Sequence, residues 1–221
     1  MDQNTKKHRV AESVLEYIDN GEVLGVGSGS TVNMLIDLLP KVKNKIQYVV
    51  SSSTNTTKLL EAKGFEVSEL NNVGKLTKYI DGADEVDKYL QMIKGGGGAL
   101  TREKILAHNS EKFICIVDES KKVETLGKFP LPVEVIPLAR SSVARELVKI
   151  GGRPVLREAF KTDNKNIILD VHDLNITKPL NLEKTLNDIP GVVTNGIFAI
   201  NHANVLLSAN NNDVEVSEPI V

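Results

Sequence analysis

At 221 residues the chain exceeds an average domain of ~150 residues and falls short of two, so it is long enough to bury a substantial core. Its 41% hydrophobic and 25% charged residues are ordinary for a globular protein. A formal net charge of −2 excludes the broad basic field that holds nucleic acid or anionic lipid, so any anionic ligand must be held by a local cluster.

The single cysteine, Cys115, lies in Phe113-Ile114-Cys115-Ile116-Val117. No internal disulfide can form, a reducing compartment is expected, and the thiol reads as a small hydrophobe in a buried strand. The first residues, Met1-Asp2-Gln3-Asn4-Thr5-Lys6-Lys7-His8-Arg9, carry no apolar core of a signal peptide. No run reaches the ~20 apolar residues of a membrane span. A cytoplasmic protein without membrane or nucleic-acid partners is expected.

In chain order, Val10, Val14, Leu15 and Ile18 repeat at helical spacing until Asp19-Asn20-Gly21 stops the helix. Val23-Leu24-Gly25-Val26 reads as a strand running into the loop Gly27-Ser28-Gly29-Ser30-Thr31. The next helix reaches Leu39, where Pro40 blocks its continuation. Residues 46–50 form a strand that opens into Ser51-Ser52-Ser53-Thr54. A helix then ends at Gly64, and residues 65–67 read as a short strand. Tyr79-Ile80 and residues 90–93 and 113–117 are further predicted strands, with a helix over about 99–107. Strands alternating with helices imply a largely parallel α/β sheet, whose ligands sit beyond the carboxyl ends of the strands.

The pattern changes near Gly127. Residues 131–136 alternate like a strand, and Ser141 or Ser142 is the expected cap of a helix ending at Gly151-Gly152. Strands follow around 154–157 and 167–172, joined by Thr162-Asp163-Asn164-Lys165-Asn166. Pro179 opens a helix that stops before Pro190-Gly191, and residues 192–198 read as a strand. This order, βαββαβ, is that of a ferredoxin-like α+β module. A final strand at 204–208 is surplus to that module and is expected to return to the first sheet. The expected division is therefore 1–126 with 200–221, and 127–199 between them.

Three loops carry recognisable chemistry. Gly27-Ser28-Gly29-Ser30-Thr31 lies between a strand and a helix, where backbone N–H groups and the helix dipole favour a phosphate. It is neither a dinucleotide fingerprint, since Ser30 stands at the third glycine, nor a P-loop, which needs a lysine. By itself it is equally a plain strand–helix turn. Asp81-Gly82-Ala83-Asp84 places two carboxylates three residues apart, suited to proton traffic between hydroxyls, to magnesium, or simply to an acidic turn. Lys94-Gly95-Gly96-Gly97-Gly98 sets a cation beside small-residue amides, an oxyanion hole or merely a flexible loop.

Glu103 and Lys121 alone would read as surface charges. His8, His108, His172 and His202 have no metal-ligand spacing, and Asp170-Val171-His172 reads as the exposed face of a strand. Together the polar loops, each after a separate strand, are expected to converge on one edge of a parallel sheet. That suits a substrate with a phosphate at one end and a proton to move at the other.

The loops at 27–31, 81–84, 94–97 and 101–104 resemble the signature segments of the ribose-5-phosphate isomerase type A family. Residues 113–118, Leu126-Gly127-Lys128-Phe129-Pro130-Leu131-Pro132-Val133-Glu134-Val135 and Pro190-Gly191-Val192-Val193-Thr194 resemble it too, so the likeness runs end to end. Ser28 stands where the family more often has threonine, and Gly98 where alanine is more usual.

No metal is expected, since no His, Cys or acid cluster has ligand spacing. The resemblance implies a Rossmann-like domain with an inserted α+β domain, no cofactor, and a homodimer or homotetramer. It implies interconversion of D-ribose 5-phosphate and D-ribulose 5-phosphate in the non-oxidative pentose phosphate pathway. By the same analogy Glu103 moves the proton between carbons 2 and 1 through an enediolate. Asp81 and Asp84 assist ring opening and proton traffic, Gly82 and Ala83 line the substrate, and Lys94 with Gly95, Gly96 and Gly97 stabilises the anion. Ser28, Gly29, Ser30, Thr31 and Lys121, with Lys7 as helper, hold the phosphate end. Two other readings are a sugar-phosphate-sensing effector module, which would carry a fused DNA-binding helix pair, and an acyl-coenzyme A transferase-like enzyme.

Overall fold

Strands apolar on both faces belong inside a sheet covered on both sides. The computed structural model, which describes residues 2–219, places 23–26 and 113–117 in such a sheet. The elements, in order, are α1 (Gln3–Ser13), β1 (Glu22–Val26), α2 (Ser30–Leu38), β2 (Ile46–Ser51), α3 (Thr54–Ala62), α4 (Leu70–Val73), β3 (Leu76–Asp81), β4 (Glu85–Val86), β5 (Met92–Ile93) and α5 (Leu100–His108). They continue with β6 (Ser110–Asp118), β7 (Leu131–Val135), α6 (Arg140–Lys149), β8 (Arg153–Leu156), β9 (Ile167–His172), α7 (Pro179–Asn187), β10 (Val192–Asn195), β11 (Ile197–Phe198), β12 (Val205–Ala209) and β13 (Val214–Ser217).

Two compact units result. The first comprises the described residues up to Ala83, Arg102–Lys122, and those from Ala203 on. Its six-stranded sheet has the order β13-β12-β6-β3-β1-β2. All neighbours are parallel except β13, which runs antiparallel to β12 at the edge. From β1 the chain steps outward to β2, returns past β1 to β3, and continues to β6 and β12. The winding thus reverses between β1 and β3, the place where a doubly wound sheet leaves a crevice at its carboxyl edge. Val10, Ile18, Leu24, Val26, Leu35, Ile80, Ile114, Ile116 and Leu207 are buried in its core, each such side chain contributing about 1.5–3 kcal/mol.

The second unit comprises Asp84–Thr101 and Val123–His202. Its four-stranded sheet, β10-β7-β9-β8, is antiparallel throughout, the strand order of a ferredoxin-like module. Val133, Val135, Val143, Leu147, Leu169, Val171 and Leu186 fill the core under α6 and α7. A three-stranded sheet, β11-β5-β4, belongs to the same unit.

The Rossmann-like sheet, the βαββαβ order and the return of β12 to the first sheet agree with the sequence. Several details differ. Residues 84–101 fall in the second unit, because β4 and β5 pair antiparallel with each other and with β11. The predicted strand 192–198 is broken at Gly196, whose N–H bonds the Pro132 carbonyl at 2.8 Å as the chain passes between sheets. Residues 65–67 make a single bridge, Val49 to Val67, and no strand. Ser141 and Ser142 lie inside α6, which begins after Ala139 without a side-chain cap. Asp170 is half-buried and ion-paired rather than on a free strand face.

Candidate active site

In the first unit the loop after β1 meets the end of β3. Gly25 pairs with Tyr79 and Val26 with Ile80, so Gly27 and Asp81 emerge side by side. A Cβ at Gly27 would overlap the Asp81 carboxyl group, so only glycine lets the two chains pass. Asp81 is fully buried and sits in a ring of donors. Its Oδ1 accepts the Ser28 N–H at 3.0 Å and the Gly82 N–H at 2.7 Å, and its Oδ2 accepts the Tyr79 hydroxyl. Tyr79 is itself buried, its ring centroid 4.9 Å from that of Phe113. Burial, then the nearby Asp81 and Glu103 charges, push the Tyr79 phenol well above its ordinary pKa, so it stays a proton donor.

Glu103, in the first turn of α5, is only 3% exposed. Its Oε1 accepts the Ser28 hydroxyl at 2.6 Å. Ser28 thus gives its amide to one carboxylate and its hydroxyl to another.

Of the rest of the loop, Gly29 and Ser30 are open to solvent. Gly29, with φ +105°, precedes α2 without a capping side chain. Lys7 Nζ donates to Ser30 Oγ at 2.9 Å, which brings a cation to the start of this helix. Thr31 is nearly buried in the first turn.

Asp118 ends β6 and accepts from the amide and hydroxyl of Ser120 and from Gln3 Nε2 at 3.2 Å. Burial pushes its carboxyl up. The bonds from Ser120 and Gln3, with the Lys121 charge, outweigh this and leave it below the usual carboxylate range. The turn that Asp118 caps carries Lys121.

In the second unit, Asp84 Oδ2 accepts the Gly96 N–H at 2.8 Å. Lys94 follows β5 and is 3% exposed, with its Nζ 5.5 Å from the Phe198 ring centroid. Gly96 and Gly97 are exposed. The loop 81–84 follows β3 of the parallel sheet as expected, whereas Lys94 follows β5, a strand of the small antiparallel sheet.

The sequence reading missed Tyr79 and Arg157. Tyr79 stands two residues before Asp81 on the same strand face, a spacing that could have revealed it. Arg157 donates to the carbonyls of Gly95 and Gly96, and nothing in the sequence joins positions 61 or 62 residues apart.

Among the described residues, no group of three or more His, Cys, Asp or Glu side chains is placed to hold a metal ion. No described helix is long and apolar enough to cross a membrane.

Within the first unit, buried carboxylates beside hydroxyl and amide donors are suited to moving protons; within the second, an exposed glycine loop beside a lysine is suited to binding an anion. The doubly wound sheet and the ferredoxin-like module define an α/β protein of Rossmann-like type. The family model described as ribose 5-phosphate isomerase A (phosphoriboisomerase A) matches residues 48–213. The chain belongs to the ribose 5-phosphate isomerase A family.

Solved structures agree along the whole chain. Ribose 5-phosphate isomerase A from Neisseria gonorrhoeae is 48% identical, with 100% of this chain and 99% of that one covered and a TM-score of 0.97. The Methanocaldococcus jannaschii ribose 5-phosphate isomerase A is 36% identical over 97% of this chain and 98% of its own, with a TM-score of 0.91. A D-ribose-5-phosphate isomerase in complex with phospho-erythronic acid is 36% identical over 99% and 100%, with a TM-score of 0.95.

Proposed function

We propose that this chain interconverts D-ribose 5-phosphate and D-ribulose 5-phosphate through an enediolate, in the non-oxidative pentose phosphate pathway of the cytoplasm. The observation that carries the reading is Glu103, a carboxylate almost excluded from solvent and held at 2.6 Å by a hydroxyl, in a member of this isomerase family. The reaction must take a hydrogen from carbon 2, return it to carbon 1, and shift a proton between their oxygens. It is redox-neutral overall, so it calls for no redox cofactor, and we assign no metal to it.

Glu103 is the carbon base. Asp81 and Asp84 serve ring opening and the oxygen-bound protons, with Gly82 and Ala83 beside them. Lys94 and the amides of Gly95, Gly96 and Gly97 stabilise the enediolate oxygens. Gly29, Ser30 and Thr31 at the start of α2, with Lys7 and Lys121, take the phosphate. Ser28 changes part: it positions the carboxylates of Asp81 and Glu103 instead of binding phosphate. A relative complexed with phospho-erythronic acid supports a phosphorylated four- or five-carbon ligand here. The family likeness also supports a homodimer or homotetramer.

The test is incubation of purified protein with D-ribose 5-phosphate and excess chelator, following ketose formation. Accumulation of D-ribulose 5-phosphate is expected. Tight binding without turnover, or acyl transfer from acyl-coenzyme A to an acceptor acid, would replace this reading with a sensor or a transferase.

A further inference from the structure

The geometry points to Arg157 as the residue that positions the amides of the glycine loop for catalysis, with Asp170 holding Arg157 in place. This rests on the reading of that loop as the enediolate-binding element.

Four consecutive glycines have a large conformational space, and an oxyanion hole works only when its donors are oriented before the charge develops. Something must therefore fix the peptide planes of this loop. Arg157 Nη1 donates to the Gly95 carbonyl at 3.2 Å and to the Gly96 carbonyl at 3.1 Å. In a planar trans peptide the carbonyl and the following N–H point in opposite directions. Turning the Gly95 and Gly96 carbonyls onto the guanidinium therefore turns the Gly96 and Gly97 N–H groups away from it.

The first consequence is visible, since the Gly96 N–H donates to Asp84 Oδ2 at 2.8 Å. The Gly97 N–H has no acceptor among the described residues, and a Cβ built on Gly97 meets nothing within 4 Å. The exposed Gly97 amide is thus the one left for an anion, while the Gly96 amide is held by Asp84. A cation on the carbonyl side also polarises both peptides and strengthens their N–H groups as donors.

The guanidinium is built into place. Asp170 takes it with both oxygens, at 2.9 Å from Nε and 2.6 Å from Nη2. Its Cζ lies 5.2 Å from the Phe160 ring centroid. That ring occupies the space a side chain at Gly98 would need, and Gly98 closes a turn onto the Gly95 carbonyl at 2.9 Å. Lysine could keep the charge but not the planar fork that engages a carboxylate and two carbonyls at once.

The experiment compares wild-type protein with Arg157→Lys, Arg157→Ala and Asp170→Asn in steady-state isomerisation, with melting temperatures measured in parallel. Donors that act on a developing charge lower kcat more than they raise KM, so kcat is expected to fall about 10–10²-fold in the Arg157 variants. KM should change less than about threefold. Millimolar guanidinium should restore part of the kcat of Arg157→Ala and leave Arg157→Lys unaffected. Asp170→Asn should show the same kcat-weighted defect in weaker form, and it carries the test if Arg157→Ala does not fold. Folded Arg157 variants with kcat within about twofold of wild type would overturn the role of Arg157 alone. So would a defect confined to KM or one that guanidinium does not relieve. A wild-type protein that does not isomerise ribose 5-phosphate overturns the functional reading beneath it.

Discussion

The hydroxyl of Ser28 donates to Oε1 of Glu103 at 2.6 Å, tying the loop after β1 to the first turn of α5 across 75 residues of sequence. A hydrogen bond to a charged group contributes about 1.5–3 kcal/mol, and here it also selects one direction for the carboxylate. Ser28→Ala is expected to lower kcat roughly 10–100-fold with a smaller change in KM. Ser28→Thr keeps the hydroxyl and should retain most of the activity. Steady-state kinetics on both variants check this, and equal losses in the two would remove the hydroxyl from the explanation.

Gly27 and Asp81 occupy what would be one volume if residue 27 carried a side chain. Gly27→Ala must push the carboxylate out of its ring of donors or separate β1 from β3, at about 1–3 kcal/mol. Asp81→Ala alone removes the obstruction but leaves the Tyr79 hydroxyl without its acceptor. In the double variant the clash is gone, so the two destabilisations should add to less than their sum by about 0.5 kcal/mol or more. Denaturant melts of the four proteins measure this directly. Full additivity would show that the loop accommodates a methyl elsewhere.

These two contacts show what the sequence could and could not disclose. The glycines and the acid of the β1 and β3 loops were legible because strand–loop–helix chemistry is local. Adjacency of β1 to β3 was not, since sheet order is set by which crossovers pack, over more than 50 residues. β5 and β11 lie inside the strands expected at 90–93 and 192–198, but β4 is two residues, too short for a period, and the pairing of the three is tertiary. That the Ser28 hydroxyl reaches Glu103 was not legible either, because it depends on where α5 brings Glu103, which is a tertiary fact. Arg157 and Asp170 pair through their register on β8 and β9 and the chain just beyond β8, invisible without the antiparallel pairing.

Tyr79 gives a pH-dependent consequence. Its folded-state pKa is raised by burial and by the Asp81 and Glu103 charges, above an unfolded value of about 10. A raised pKa contributes stability that is complete below the unfolded pKa and is lost as pH rises through the folded one. One of the four tyrosines should therefore fail to ionise in an alkaline absorbance titration until the chain unfolds. Tyr79→Phe should abolish that delayed step and weaken the alkaline collapse. It should also cost about 1.5–3 kcal/mol near neutrality, because Asp81 loses a buried donor. Ionisation of every phenol in the still-folded protein would contradict the burial of this one.

The last test concerns the proton itself. A 1,2-isomerisation removes a carbon-bound hydrogen and returns it to the neighbouring carbon, so a single carboxylate can perform both steps. Three acids are candidates. Asp81 already accepts from the Tyr79 hydroxyl and from the Ser28 and Gly82 amides, at the end of β3. Asp84 accepts the Gly96 amide and so belongs with the loop that receives the anion. Glu103 has a longer side chain, bonds Ser28 through Oε1, and is only 3% exposed in the first turn of α5.

Glu103→Gln keeps the volume and an acceptor for the Ser28 hydroxyl but removes the basic oxygen, so substrate binding is expected to persist. Turnover should fall by about 10²–10⁴, the contribution of a positioned general base. Deuterium from solvent should no longer enter carbon 2 of recovered ribose 5-phosphate, which separates loss of carbon-proton transfer from loss of ring opening. A variant that still exchanged that hydrogen near the wild-type rate would take Glu103 out of the chemistry and leave Asp81 or Asp84 as the base.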